Sequence, residues 1–147
     1  MKGEPLNILL VEDNEDHAEL VQRSFEDNRV ANRIYWVKDG EEALDYLFRR
    51  GIYADEASSP CPNLILLDLR LPKVDGIEVL KTIKTDSNLK IIPVVVLTSS
   101  ESEKDICKVY DFHANSYLVK PIDFEKFTQL MQDLGFYWLG WNVNPLK

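Results

Sequence analysis

Cysteine and histidine are scarce in this 147-residue chain, with two of each. Cys61 and Cys107 stand far apart with no Cys-x-x-Cys, so neither a disulfide framework nor a thiolate metal site can be drawn, and both read as ordinary thiols in a reducing compartment. His17 and His113 are equally isolated, which removes the usual support for a His-based metal site or a catalytic triad. Apolar runs are short. Leu6 to Val11 and Ile91 to Leu97 fall far below the roughly 20 residues that span a bilayer, and the second contains Pro93. The first runs straight into Glu12, Asp13, Glu15 and Asp16, leaving no signal-peptide core or cleavage site, and a cytoplasmic location is expected. Basic residues are outnumbered, 17 Lys+Arg against 25 Asp+Glu, for a formal net charge of -8. A chain this acidic lacks the basic stripe that nucleic-acid phosphate or anionic lipid requires; metal cations and basic protein surfaces suit it better. No Gly-x-Gly-x-x-Gly occurs, so a dinucleotide-binding domain is excluded.

What is present is the composition of one globular domain, 45% hydrophobic and 29% charged, long enough to bury a core without disulfides or a structural metal. Five short segments rich in Val, Ile, Leu and Tyr alternate with stretches of helical periodicity. Strands are predicted at Leu6 to Val11, Arg33 to Val37, Leu64 to Asp68, Val94 to Thr98 and Ser116 to Val119. Runs such as Ile65-Leu66-Leu67 and Val94-Val95-Val96-Leu97 lack alternation, as central parallel strands covered on both faces do. Arg33 to Val37 mixes polar residues in and reads as an edge.

The helix signals fall between the strands. Asn14 caps a first helix with Ala18, Val21 and Phe25 inward, and Asp39 with Glu42 forms a capping box ahead of Ala43, Leu44, Leu47 and Phe48. A third helix follows Asp75-Gly76 with Ile77, Leu80 and Ile83 on one face. A fourth spans about Ser102 to Asp111, and a fifth starts at Asp123 and continues through Leu134. Gly51 to Pro62 reads as a long connecting loop. Right-handed crossovers then give an α/β fold, a doubly wound five-stranded parallel sheet of order 2-1-3-4-5, whose ligand crevice lies at the carboxyl ends of strands 1 and 3.

That geometry gathers Glu12-Asp13, Asp68, Thr98 and Lys120 on one rim of the sheet. A carboxylate ending the apolar run Leu64 to Leu67 loses solvation, a cost that demands a cation or donors. Three carboxylates at one crevice repel each other, so something positive must sit among them. All the available ligands are hard oxygens, and the expected ion is Mg²⁺, with Mn²⁺ able to substitute. Lys120 adds a fixed charge and Thr98 a hydroxyl, which together describe a receptor for a phosphoryl group. A carboxylate beside such an ion can attack phosphorus and form an aspartyl-phosphate.

These residues carry a resemblance. Leu9-Leu10-Val11-Glu12-Asp13-Asn14, Leu67-Asp68-Leu69-Arg70-Leu71-Pro72-Lys73-Val74-Asp75-Gly76, Val96-Leu97-Thr98-Ser99 and Tyr117-Leu118-Val119-Lys120-Pro121 resemble, in order, the signature blocks of response-regulator receiver domains of two-component signalling. The likeness runs from about Leu6 to Leu134. It implies a flavodoxin-like receiver fold in which Asp68 is the phosphoacceptor, Asp13 ligates Mg²⁺ directly, Glu12 acts mainly through water, and the Arg70 backbone carbonyl completes the protein's share of the shell. It further implies that Thr98 and Lys120 bind phosphoryl oxygens, that the N–H groups of Leu69, Arg70 and Ser99 add donors, and that Pro121 follows a cis peptide.

In the family's switch, Thr98 moves toward the phosphoryl group and the ring of Tyr117 fills the space it leaves, biasing the face made by the fourth helix, fifth strand and fifth helix. The resemblance divides the chain into a receiver domain over 1–135 and an aromatic extension over 136–147, with no separate output domain, so that output is protein binding. Phe136, Trp138 and Trp141 either fold back over the domain or anchor an interface, and a homodimer through that face is the preferred assembly. The aromatic ending, the loop around Gly51-Ile52-Tyr53 and the run Leu89 to Thr98 are similar to single-domain regulators paired with phytochrome-type sensor histidine kinases. The implied phosphodonor is a kinase phosphohistidine, with slow autodephosphorylation as the only turnover of its own. Rival readings are weaker. A haloacid-dehalogenase enzyme needs a second Asp where Arg70 stands, and a flavin phosphate would be repelled by Glu12 to Asp16. A non-phosphorylated pseudo-receiver that signals only by binding is the main alternative.

Overall fold

The structure is a computed structural model that describes residues 6–27, 32–98, 114, 116–119, 125, 126 and 129. Its frame is a five-stranded, all-parallel sheet built from β1 (Leu6–Val11), β2 (Asn32–Val37), β3 (Leu64–Asp68), β4 (Val94–Thr98) and β5 (Ser116–Val119), in the order β2-β1-β3-β4-β5. The expected order and strand limits are met, apart from β2 beginning at Asn32. β2 and β5 form the edges.

Because successive side chains of a strand point to opposite faces, each unbroken apolar run serves two cores at once. Ile8, Leu10, Leu64, Leu66, Val95 and Leu97 pack with Ala18 and Val21 of α1 (Glu15–Asp27). Leu9, Val11, Ile65, Leu67, Val94 and Val96 pack on the other face with Ala43, Tyr46 and Leu47 of α2 (Gly40–Leu47) and Val79, Leu80 and Ile83 of α3 (Gly76–Thr85). Every residue from Leu64 to Leu67 is fully excluded from solvent. At roughly 1.5–3 kcal/mol for each buried aliphatic side chain, this double burial outweighs the exposed polar edge of β2 and fixes β3 at the centre.

The helix starts follow the expected chemistry with one variation. Asn14 Oδ1 accepts the His17 N–H at 3.0 Å, capping α1. Asp39 Oδ1 accepts the Glu42 N–H at 2.7 Å, but the Glu42 carboxylate reaches back to the N–H of Lys38 (2.8 Å), one residue earlier than a standard capping box. Phe48, expected among the apolar residues of the second helix, is a correction. It is the exposed residue that ends the helix, with the Arg50 guanidinium over its ring, and Tyr46 takes the core position. Phe48 is one residue beyond the last helical position, off the face set by Ala43, Tyr46 and Leu47. Arg49 then adopts a left-handed φ of 58°, and the Arg49 and Arg50 N–H groups close back on the carbonyls of Tyr46 (3.2 Å) and Asp45 (2.8 Å).

The connection after α2 is tied down and contains a short 3-10 turn at Gly51–Tyr53. Tyr46 Oη donates to the Pro60 carbonyl at 2.8 Å, Arg49 Nη1 donates to the Ser59 carbonyl at 3.0 Å, and Tyr53 Oη donates to the Glu42 carboxylate. Burial, reinforced by nearby Tyr35, pushes the Tyr46 hydroxyl up to about 12, and burial with the Glu42 bond pushes Tyr53 up further. Lys84 closes α3 onto the entry to β4, donating to the carbonyls of Lys90 (3.1 Å) and Ile92 (2.8 Å), and its partial burial lowers its pKa. The fourth predicted helix and the aromatic extension lie outside the described residues, as does most of the fifth helix, of which residues 125, 126 and 129 are helical.

Candidate functional site: an acidic crevice at the strand ends

The parallel ladder delivers the acidic residues to one place. β1 and β3 pair in register from Ile8 with Leu64 to Val11 with Leu67, so Glu12-Asp13 and Asp68 emerge side by side at the carboxyl ends of adjacent strands. One oxygen from each of Glu12, Asp13 and Asp68 lies within 4.8 Å of the others. Glu12 is 1% exposed and Asp68 6%, whereas Asp13 faces solvent. Two charges at that spacing repel by roughly 3–4 kcal/mol at the effective dielectric of a protein site, so an array of this kind holds together only with positive compensation.

Several groups brace the crevice. The Asn14 N–H donates to Glu12 Oε2 at 3.1 Å, and His17 Nδ1 stands 3.8 Å from the same oxygen, an ion pair when the ring is protonated. His17, read in isolation from the sequence, is therefore a neighbour of the site. Nothing in its spacing signalled this; the first turn of α1 carries it there. On the β3 side the Arg70 N–H points to Asp68 Oδ1 at 3.4 Å. The Leu69 N–H, expected to face a phosphoryl oxygen, instead donates to the Leu97 carbonyl at 3.1 Å, because the β3–β4 ladder continues one residue past the strand.

The loop after β3 is shaped by close approach. A Cβ at Gly76 would collide with the carbonyl oxygens of Asp68 and Leu69, so glycine alone lets α3 begin against the acid-bearing strand end. Lys73 has a left-handed φ of 68°, with the Val74 N–H returning to the Pro72 carbonyl at 2.8 Å across it. Its ammonium bridges Asp39 (3.7 Å) and Glu41 (3.6 Å) at the start of α2.

Of the remaining predicted site residues, Thr98 ends β4 in register with Val119, the residue before Lys120 in sequence. Tyr117 is half-buried on β5 and packs against the core on the α2–α3 side of the sheet. Ser99, Lys120 and Pro121 lie outside the described residues, as does the Thr98 side chain.

Three hard oxygen donors with no nitrogen or sulfur ligand among them fit a small divalent cation. A parallel 2-1-3-4-5 sheet with such a site at its central strand ends is the arrangement of a signalling receiver domain. The chain belongs to the response regulator receiver domain family of two-component signalling, whose profile matches residues 8–132. It is 49% identical over 142 residues to the probable methanogenesis regulatory protein FilR2 of Methanothrix harundinacea, covering 97% of this chain and 89% of the relative. It is 42% identical over 135 residues to response regulator Rcp1 of Synechocystis, covering 92% of this chain and 90% of the relative. The crystal structure of the Mn²⁺-bound form of Rcp1 aligns over 92% of this chain and 95% of its own with a TM-score of 0.74. That of the phosphorylated cyanobacterial phytochrome response regulator RcpA, 43% identical, covers 92% and 94% with a TM-score of 0.76.

Proposed function

We propose that this receiver is a switch in which Asp68 takes a phosphoryl group from a phosphohistidine of a sensor histidine kinase, with Glu12, Asp13, Asp68 and the Arg70 carbonyl holding Mg²⁺. The observation that carries this reading is the convergence of the three carboxylates within 4.8 Å at the ends of β1 and β3. An Asp68 oxygen bonds to phosphorus as the P–N bond of the donor breaks, and the imidazole leaves with its electron pair and takes up a proton. The bound ion supplies charge neutralisation for the oxygens of the transferring group. Burial of Asp68 keeps competing water away from the acyl phosphate, and the Arg70 N–H, 3.4 Å from Asp68 Oδ1, is a proposed donor to a new oxygen. Lys120, Thr98 and the Ser99 N–H are the proposed phosphoryl partners.

The new dianion then draws on Thr98, and Tyr117 responds, shifting the face of the fourth helix, β5 and the fifth helix toward dimerisation or partner binding. Residues 1–135 form the receiver and 136–147 an aromatic extension to that interface. The phosphorylated phytochrome regulator among its relatives supports a phytochrome-type kinase as the donor. No described helix is long and apolar enough to cross a membrane, and the proposed site of action is the cytoplasm.

Intact-mass measurement after exposure to acetyl phosphate and Mg²⁺ tests the reading. Wild type gains one phosphoryl mass, and Asp68→Asn or chelation of Mg²⁺ abolishes the gain. Unchanged wild-type protein, or equal labelling of the variant, leaves only the pseudo-receiver that signals by binding. Thr98→Ala is expected to accept the group yet lose the phosphorylation-dependent change in self-association, read by analytical ultracentrifugation; a wild-type response would contradict the coupling.

A further inference from the structure

The peptide that joins the two N-terminal acids is gripped from the neighbouring strand. Trp36, the penultimate residue of β2, donates its indole N–H to the Glu12 carbonyl at 2.7 Å, while the Glu12 N–H donates to the Val37 carbonyl at 3.1 Å. The indole is half-buried against the core beneath α1, with the Lys38 ammonium 5.3 Å from its ring centroid. Both the ring's packing and its cation neighbour hold the N–H on target. The gripped carbonyl belongs to the Glu12–Asp13 peptide, whose plane sets ψ of Glu12 and φ of Asp13. That plane determines where the solvent-facing Asp13 carboxylate comes to rest relative to buried Glu12 and Asp68. A site of this kind tolerates displacements of only about 0.5 Å.

We infer that Trp36 is a positioning residue of the metal site. Its indole N–H locks the 12–13 peptide so that Asp13 meets the other two carboxylates, and the same bond makes the ring a reporter of the ion. This rests on the reading that the three carboxylates hold Mg²⁺. Outer groups that orient a ligand influence metal affinity without touching the ion. Trp36 does so through the main chain, which its position 24 residues away on another strand conceals in the sequence.

The test uses the full chain, Mg²⁺ alone as probe, and two variants. Trp36→Phe removes the N–H and part of the ring; incorporation of benzothienylalanine at position 36 exchanges the N–H for sulfur and keeps the ring's shape. Isothermal titration is expected to show Mg²⁺ binding weakened about fivefold in both, the loss of one neutral hydrogen bond. In the ¹H–¹⁵N spectrum of wild type, one of the three tryptophan indole signals, assigned by its absence from Trp36→Phe, should move with Mg²⁺ along the calorimetric isotherm. Wild-type affinity in the folded benzothienyl protein, or an indole signal indifferent to Mg²⁺, overturns the role of Trp36 alone, provided that Asp13→Asn loses binding. Equal and negligible Mg²⁺ binding by wild type and Asp13→Asn overturns the metal reading, and this inference with it.

Discussion

Replacing Asp68 by Asn should make the metal-free protein more stable. Glu12 and Asp68 are both buried, with oxygens within 4.8 Å of each other, and their repulsion at an effective dielectric near 20 is roughly 3–4 kcal/mol. Asparagine has the same shape and keeps the Oδ1 that faces the Arg70 N–H at 3.4 Å, so the change removes charge and little else. Neighbouring donors, and the proposed pairing with Lys120, already offset part of the repulsion, leaving a net gain of about 1–2 kcal/mol. For a domain of this size that raises Tm by roughly 3–6 °C in EDTA. Mg²⁺ should reverse the order. At a hundredfold excess over its Kd it adds about 2.7 kcal/mol to wild type and much less to a site short of one anionic ligand. Thermal and urea denaturation of both proteins in EDTA and in Mg²⁺ measure all four values. An Asp68→Asn protein less stable than wild type in EDTA, with the same Mg²⁺ increment, would refute the reasoning.

Further outcomes follow from single contacts. Gly76→Ala should cost about 2–3 kcal/mol and weaken Mg²⁺ binding together with stability, since the new methyl meets the Asp68 and Leu69 carbonyls; urea denaturation with parallel Mg²⁺ titration checks it. Tyr46→Phe should cost about 1 kcal/mol by leaving the Pro60 carbonyl without its 2.8 Å donor. Tyr46 also gives an alkaline signature. Its folded pKa is raised by burial to about 12 from 10.0, so its contribution is complete below pH 10 and lost as pH climbs through 12. Stability measured across that window should fall more steeply in wild type than in Tyr46→Phe, and equal slopes would count against the buried hydroxyl.

Much of the architecture was legible because its causes are local. β1, β3 and β4 announce themselves by the aliphatic runs Ile8 to Val11, Leu64 to Leu67 and Val94 to Leu97, which only a sheet covered on both faces can bury, and Glu12-Asp13 and Asp68 are legible as a site because they end such runs. What escaped depends on partners distant in sequence. Tyr46 was not singled out as a core residue of α2, and Phe48, grouped with its apolar residues, ends the helix exposed just before Arg49 takes a left-handed conformation that sequence reading assigns to glycine. The Leu69 N–H was expected at the phosphoryl site but is consumed by β4, because a ladder's last rung is invisible until the strands are in register. The anchoring of the 51–62 connection by Tyr46, Arg49 and Tyr53, the approach of His17 to Glu12, and the grip of Trp36 on the Glu12 carbonyl likewise arise only once the elements are packed.

The central claim is that a buried aspartate at the end of the middle strand takes the phosphoryl group as an acyl phosphate. Borohydride reduction of the protein after incubation with a phosphohistidine donor and Mg²⁺, followed by tandem mass spectrometry of its peptides, locates the acyl phosphate directly. Conversion of residue 68 to homoserine, dependent on Mg²⁺ and absent from Asp13→Asn, is the predicted result. Homoserine at any other acidic position, or none in wild-type protein under a competent donor, would contradict it.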